Sequence, residues 1–234
     1  QDYGEINELN AHRPLPPVFK GRPTQMRCVA HTLQGVHDRA WVHHIERLMV
    51  IGNLALIAGV NPKELTDWMW ASFIDGAEWV MLPNVLGMAL HADGGRMATK
   101  PYAAGGAYID KMSDYCKGCA YDRKKRVGPD ACPFTTLYWD FLARHEQRFA
   151  RNPRVVQQVR AAGKLSDLDE VRRRAAEVLD LLDAGTAQLL SCTVSTRAER
   201  WFVSFKCRVE LPERTPSEPG STVGVDAGLT RLAT

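Results

Sequence analysis

Three of the six cysteines in this 234-residue chain have a spacing that is typical of metal ligands, and a fourth cysteine in the same half of the chain can complete the set. Cys116 and Cys119 form a CxxC pair, Cys132 follows after twelve residues, and Cys28 is the only other cysteine in the same half of the chain. Four thiolates suit either zinc or an iron–sulfur cluster, so the spacing leaves both open. A redox dithiol is the third interpretation, but such pairs begin a helix in a βαβ unit, which the surrounding sequence does not predict.

One tryptophan and several polar side chains interrupt an apolar segment of a predicted helix: Trp41, His43, His44, Arg47 and Asn53. A single histidine there fits a hydrogen-bonded core residue better than a ligand. Arg47 can pair with Asp75 on the next predicted helix, and a buried ion pair costs desolvation unless something useful is gained. Aromatic residues are frequent in the same region, where core packing explains most of them: Trp68, Trp70, Trp79, Tyr102 and Tyr108.

The residues between Met26 and about Ala184 have mainly the apolar periodicity of helices. One long helix is predicted around the apolar face that runs from Ile45 to Leu56. The next begins after Asn61-Pro62, because proline favours the first helical position. Further amphipathic helices are predicted for residues 137–149 and 168–182, and the glycine-rich range 92–106 is predicted to be a loop. The pattern therefore predicts a mainly α domain over residues 1–187.

The pattern changes to that of β-strands after Gln188. Residues 189–196 are apolar and β-branched, and residues 200–210 alternate between apolar and polar side chains, as a half-buried strand does. A Pro/Ser linker over 212–220 precedes a predicted hairpin around Ala227-Gly228. Cys192 and Cys207 fall on the predicted strands, where burial as small side chains is the favoured interpretation. We expect a separate, short β segment over residues 188–234.

Composition and charge exclude several classes of protein. With 45% apolar and 24% charged residues, the chain is neither collagen-like nor wholly disordered. A net charge of +3 permits a nucleic-acid partner without indicating one. The longest apolar stretch, residues 48–60, is too short to span a membrane, and no signal peptide opens the chain. From these two observations we expect a cytoplasmic protein with no membrane partner. Because the chain begins at Gln1 and ends within a strand-like segment, we also expect it to be a fragment.

Several longer stretches resemble the iron–sulfur bacterial cryptochrome/photolyase family. The resemblance covers roughly residues 8–187. It is carried by residues 41–50 (WVHHIERLMV), Gly52-Asn53, 79–85 (WVMLPNV), 92–102 (ADGGRMATKPY), 109–116 (IDKMSDYC) and 128–134 (GPDACPF). It implies the C-terminal part of a helical FAD-binding domain with a [4Fe-4S] cluster on Cys28, Cys116, Cys119 and Cys132.

The resemblance also implies roles for individual side chains. His43 and His44 stand where the family keeps its lesion-facing and flavin-side polar residues. Arg47 and Asp75 match a flavin-adjacent salt bridge, and Asn84 resembles the residue that faces the isoalloxazine ring. Tyr102 and Tyr108 match tyrosines of the lesion pocket, and Trp68 matches a tryptophan of an electron relay. A further tryptophan of that relay has no counterpart here, where Phe19-Lys20 occupies the region.

The function implied is that of a DNA photolyase, a carbon–carbon lyase, with the (6-4) type favoured. Reduced FAD excited by blue light donates an electron to a lesion that has been flipped out of UV-damaged DNA. We expect a monomer, with an antenna chromophore in an N-terminal domain that this chain lacks. Because part of the flavin pocket is also missing, we expect the chain alone to bind FAD weakly or not at all, and to be inactive. A cryptochrome-like photoreceptor without repair is the alternative.

The tail resembles a different family. Residues 191–204 and 223–234 are similar to the beginning of the RuvC-like, RNase H-fold domain of OrfB/TnpB-type transposon nucleases. In that family an aspartate at the position of Asp226 ligates Mg²⁺. One carboxylate does not make a two-metal site, so we expect no nuclease activity. For Asp226 itself, the alternative is an aspartate in a strand–turn that binds no metal. For the whole chain, the remaining alternative is a remnant of such an RNA-guided nuclease fused to a helical domain. The join near Ala187 has the pattern of a gene fusion or an insertion scar.

The basic residues 123–126 can contact phosphate or form a solvated loop.

Overall fold

The computed structural model describes residues 2–184 in full, and the backbone of residues 188–197 and 200–208. The chain divides into two compact units, Gln1–Thr186 and Ala187–Thr234, which are described separately. The predicted hairpin, the Pro/Ser linker and Asp226 lie outside the described residues, as do the side chains of Cys192 and Cys207.

The described residues of the first unit are mainly helical, as the periodicity predicted, and two isolated β-bridges join Arg13 to Val60 and Asp122 to Ala131. Its α-helices are α1 (Arg27–Arg39), α2 (His44–Glu46), α3 (Asn53–Ala58), α4 (Pro62–Ser72), α5 (Glu78–Met81), α6 (Gly106–Met112), α7 (Pro133–Arg144), α8 (Glu146–Phe149), α9 (Val156–Ala162) and α10 (Leu168–Asp183). Two π-helical segments, Arg47–Gly52 and Leu82–Ala89, continue α2 and α5, and two short 3₁₀ turns, Tyr3–Glu5 and Pro17–Lys20, precede α1.

The core forms where α3 packs against α7, which also contacts α10. Leu54 and Ile57 of α3 are fully buried, and so are Leu137 and Phe141 of α7. Burying each such side chain contributes about 1.5–3 kcal/mol, so this contact supplies much of the stability of the unit. Among the described residues, no helix is long and apolar enough to cross a bilayer.

The predicted long helix differs from the structure in two respects. It begins at His44, so Trp41 lies before it and His43 is its N-cap. Its middle, Arg47–Gly52, is π-helical before regular α-helix resumes at Asn53. Such interruptions are rare and often occur at functional sites, because they rotate the side chains that follow relative to those that precede.

The surroundings of α4 agree with the prediction at its start and contradict it at its end. The Asn61 side chain accepts hydrogen bonds from the backbone N–H groups of Lys63 and Glu64, and Pro62 occupies the first helical position. The backbone of Phe73 is extended and ends the helix. The placement of Asp75 on a helix was therefore wrong, since it lies in the turn that follows. Residues 92–105 form the predicted loop, and α6 begins at Gly106.

The described part of the second unit is a pair of strands, β1 (Gln188–Arg197) and β2 (Arg200–Arg208). They pair antiparallel, with Cys192 opposite Phe205 and Arg197 opposite Arg200. The register shifts by one residue between Leu189 and Ser191, which is the pattern of a β-bulge.

Candidate functional site

A cavity of about 390 Å³ opens beside α2 in the first unit. Several of the polar residues singled out from the sequence line it: His43, His44, Arg47, Asp75 and Asn84. Apolar side chains from three stretches of the chain complete the wall: Trp41, Val42, Leu48, Met69, Phe73, Val80, Met81, Val85 and Ala89. A mainly apolar cleft with a few convergent polar groups is the usual form of a small-molecule site.

Arg47 is fixed at the wall of this cavity by three contacts. Its Nε donates to the carbonyl oxygen of Val42 at 2.9 Å, and its Nη1 donates to Asp75 Oδ1 at 2.8 Å. The guanidinium also lies over the ring of Phe73, 4.2 Å from the ring centroid. The hydrogen bond from Arg47 lowers the pKa of the Asp75 carboxyl from its ordinary value. The predicted pair therefore forms, although the Asp75 side chain is half-exposed rather than buried.

His43 is oriented by the start of α2. Its Nδ1 accepts a hydrogen bond from the backbone N–H of Ile45, while the Glu46 side chain accepts one from the backbone N–H of His43, both at 3.1 Å. This is a capping box. Because Nδ1 is an acceptor, the hydrogen-bond network assigns the proton of the neutral ring to Nε2. His43 therefore offers an N–H donor to a ligand.

The two tyrosines predicted for the site do not line the cavity but pack behind its wall. Tyr102 and Tyr108 contact a small cluster formed by Leu48, Met49 and Ala89, and Leu48 and Ala89 also line the cavity. The position of the loop that carries Tyr102 is therefore coupled to the cavity wall through shared apolar contacts.

A buried asparagine, to which the sequence assigned no role, fixes this loop. Asn53 is fully buried, its Nδ2 donates to the carbonyl oxygen of Ala104 at 2.8 Å, and its Oδ1 accepts from the N–H of Ala104 at 3.0 Å. The amide replaces the backbone partners that Ala104 would have in a strand. The Gly52-Asn53 pair within an apolar run was the available signal, since a buried asparagine needs such partners.

Trp68 lies one layer away from the cavity. Its ring packs edge-on against Phe19, with 5.1 Å between the ring centroids, and against Phe73 at 6.2 Å. Phe73 lines the cavity, so one aromatic ring separates Trp68 from it. Asn84 lines the cavity directly, and its Nδ2 donates to the carbonyl oxygen of Val80 one turn earlier. Its Oδ1 is the group with which Asn84 can meet a ligand donor.

The four predicted metal-ligating cysteines line one small pocket between α1, the CxxC turn and the start of α7. The pocket has about 10 Å³ of free space, which is room for one water. Within the described residues, no three His, Cys, Asp or Glu side chains are close enough together to hold a metal ion as they stand. A Cβ at Gly106 would lie 2.9 Å from Cys132 Sγ, so only glycine leaves the thiol its space there.

Burial, and then the neighbouring thiols, raise the pKa values of two of these cysteines. For Cys28 and Cys116 the largest cause is burial, and the next is the charge that Cys132 would carry as a thiolate. The pKa of Cys116 rises to about 11, and that of Cys28 rises further. Neighbouring thiolates that destabilise one another favour binding of a cation, because the cation offsets the repulsion among them.

The basic run 123–126 is largely neutralised. Arg123 pairs with Asp110 at 2.7 Å, Lys125 pairs with Asp130, and Arg126 pairs with Asp167 at 2.7 Å. These ion pairs fit the solvated-loop interpretation better than a phosphate-binding surface.

A larger cavity, about 450 Å³, lies between the N-terminal segment, α7 and α10. Its arginines are already paired: Arg13 with Asp183, Arg144 with Asp140, and Arg172 with Asp169. His145, which also lines it, packs 4.7 Å from the ring of Phe141, and burial lowers its pKa to about 4. The smaller cavity is the candidate site, because it brings together the polar residues that the sequence singled out.

Comparison with known proteins finds two relatives. Over 184 residues, 78% of this chain, it is 45% identical to a protein of Agrobacterium fabrum named (6-4) photolyase. The alignment covers 36% of that relative, so the chain spans about a third of its length. An uncharacterized protein of Acanthamoeba polyphaga mimivirus, R855, is 33% identical over 101 residues, 43% of this chain and 75% of the viral protein. By that coverage, the chain and R855 belong to one family. No family model matches the sequence.

Proposed function

We propose a function for this chain on the premise that it is related to the photolyase family over 184 of its 234 residues. The chain is then part of a light-dependent DNA-repair protein, of the (6-4) type, and the cavity beside α2 is part of its FAD site. The observation that supports this most is the convergence of Arg47, Asp75, Asn84 and the two histidines on one apolar cavity.

Reduced FAD, when bound, supplies the electron that starts repair after excitation by light. The chain's own residues provide charge and hydrogen bonds around it. Arg47, held in place by Val42 and Asp75, presents a guanidinium in a fixed position at the cavity, where its N–H groups can donate to a ligand. Asn84 offers an amide oxygen, and His43 offers the N–H of Nε2. A histidine is suited to proton transfer near neutral pH to a lesion that enters the same cavity.

The proposed flavin site is testable in the isolated chain, even where binding is weak. We expect FAD, added in large excess to the isotopically labelled chain, to shift the NMR signals of the Arg47 Nε–H and of the Asn84 side-chain amide. The Arg172 Nε–H at the other cavity is the internal control and should not move. Equal shifts at Arg47 and Arg172, or a shift at Arg172 alone, would refute the assignment of the cavity. Tight stoichiometric binding of FAD would refute the expectation that part of the flavin pocket is missing from this chain.

We further propose that Cys28, Cys116, Cys119 and Cys132 hold a [4Fe-4S] cluster. Four cysteine thiols on one pocket are a donor set that suits iron and sulfide. Because the pocket has room for one water, the turns that carry the cysteines have to separate when a cluster is bound. The chain's contribution is then to fix the four thiolates and to exclude water.

Elemental analysis tests the cluster. After anaerobic purification, we expect about four irons and four sulfides per chain, and a broad visible absorption. Cys116→Ser should lower the iron content and bleach the spectrum, whereas Cys192→Ser, the control on the β segment, should not. One zinc per chain without iron would refute the cluster and leave a structural metal site.

A further inference from the structure

The phenol of Tyr115 lies where the cysteine pocket and the start of α2 meet. Tyr115 precedes Cys116 directly and lines the cysteine pocket. Its hydroxyl donates to the Glu46 carboxylate of α2. The same oxygen lies 2.8 Å from His31 Nδ1 of α1, and the two rings pack with their centroids 5.1 Å apart. Cys28, another residue of the pocket, lies one turn before His31 on α1.

Glu46 joins this phenol to the histidine cap. One carboxylate oxygen of Glu46 accepts from Tyr115, and the other accepts from the backbone N–H of His43 at 3.1 Å. Because the Tyr115 hydroxyl proton is directed to Glu46, the lone pairs of the Tyr115 oxygen are free to accept a hydrogen bond from His31 Nδ1–H. The result is an unbroken chain of hydrogen bonds from His31 through Tyr115 and Glu46 to His43.

From this geometry we propose that Tyr115 is a positioning residue, through which the state of the cysteine pocket sets the orientation of His43. The carboxylate of Glu46 is 23% exposed, so its position depends on the groups that donate to it. When the CxxC turn moves, Tyr115 moves with it, because one peptide bond joins it to Cys116. The carboxylate then shifts, and with it the capping box that fixes the tautomer of His43.

The inference rests on the proposed function only in treating the cavity beside His43 as the reactive site. The coupling itself involves neither flavin nor DNA, and it is measurable with a metal as the probe. Zn²⁺ is suitable because it is diamagnetic and binds thiolates tetrahedrally. If the cysteine pocket and His43 are coupled but the protein binds neither iron nor flavin, the proposed function is refuted and the coupling is not.

The first test compares two conservative variants of the tyrosines on the cysteine pocket. We expect Tyr115→Phe, which keeps the ring and removes the hydroxyl, to shift the imidazole NMR signals of His43. Tyr121→Phe, a control at the same pocket, should leave them within error of the unmodified chain. Glu46→Gln should also shift them, because the side-chain amide retains one acceptor oxygen for the cap and loses the second.

The second test measures coupling. Zn²⁺ added to the reduced chain should shift the His43 signals, and Tyr115→Phe should abolish most of that shift while still binding zinc. Cys116→Ser is the control for direct binding of zinc to the histidines. If zinc acts through the cysteines, this variant should also lose the His43 shift. The proposal is overturned if Tyr115→Phe and Tyr121→Phe behave alike, or if zinc shifts His43 to the same extent with and without the Tyr115 hydroxyl.

Discussion

Replacing Asn53 by alanine tests whether one buried amide holds the loop behind the cavity. Asn53 is the only described side chain that bonds both backbone groups of Ala104, with contacts of 2.8 and 3.0 Å. Its Nδ2 also lies 3.3 Å from the carbonyl oxygen of Met49 on its own helix. Alanine has no polar atoms, so the substitution removes all three contacts and leaves the N–H and C=O of Ala104 without these partners.

The expected cost follows from the desolvation of those groups. A net hydrogen bond contributes about 0.5–1.5 kcal/mol, whereas a buried backbone group left without a partner costs about 1–3 kcal/mol. Ala104 is half-buried, so water can reach part of its backbone and the lower end of each range applies. The shortened side chain also leaves a small void among apolar neighbours. We therefore expect Asn53→Ala to lower the free energy of unfolding by about 2–4 kcal/mol.

Urea unfolding followed by circular dichroism provides the measurement. Gln34→Ala is the control, since Gln34 is exposed and bonds only Asp38 one turn along α1 in the described structure. That variant should stay within about 0.5 kcal/mol of the unmodified chain. The near-ultraviolet signal of Tyr102 should change in Asn53→Ala. A loss below 1 kcal/mol, with an unchanged tyrosine signal, would refute the role of Asn53 as the clamp of the loop.

Two further changes probe the packing and the titration of the first unit. Gly87→Ala places a Cβ 2.5 Å from Tyr3 Oη and 2.9 Å from Met97 Cβ, so we expect a loss of about 1–3 kcal/mol in urea unfolding. Gly163→Ala, whose Cβ meets nothing closer than 3.6 Å, should change stability by less than about 0.5 kcal/mol. The pKa of His145 is about 4 in the fold against 6.5 for the free side chain, so the unfolded chain binds more protons between these values. Stability is then lost as the pH falls from about 6.5 to 4, by at most about 3 kcal/mol, and His145→Gln should flatten that slope in unfolding measured at each pH.

Local signals in the sequence predicted the elements whose causes are themselves local. The start of α4 is an example, because Asn61 caps the helix and Pro62 fits its first turn irrespective of what packs on it. The physical reason is there contained within four consecutive residues.

The features that the sequence did not predict depend on distant partners. The π-helical segment after Glu46 has no local signature, since its residues have ordinary helical propensity. Asn53 acquires its role only from Ala104, fifty-one positions away. Asp75 lies in a turn rather than a helix, because the extended backbone at Phe73 ends α4 before it. None of these contacts leaves a periodic pattern.

The His43 cap explains why the cavity and the cysteine pocket are better considered together. A capping histidine with Nδ1 as acceptor has one tautomer when neutral, so its reactive nitrogen is determined by backbone geometry. That geometry depends on Glu46, and Glu46 depends on a tyrosine beside a cysteine. A change at the cysteines therefore has a path through two hydrogen-bonded side chains, Tyr115 and Glu46, to the backbone N–H of His43. A purely structural cysteine site would need no such path, and this difference is what Tyr115→Phe measures.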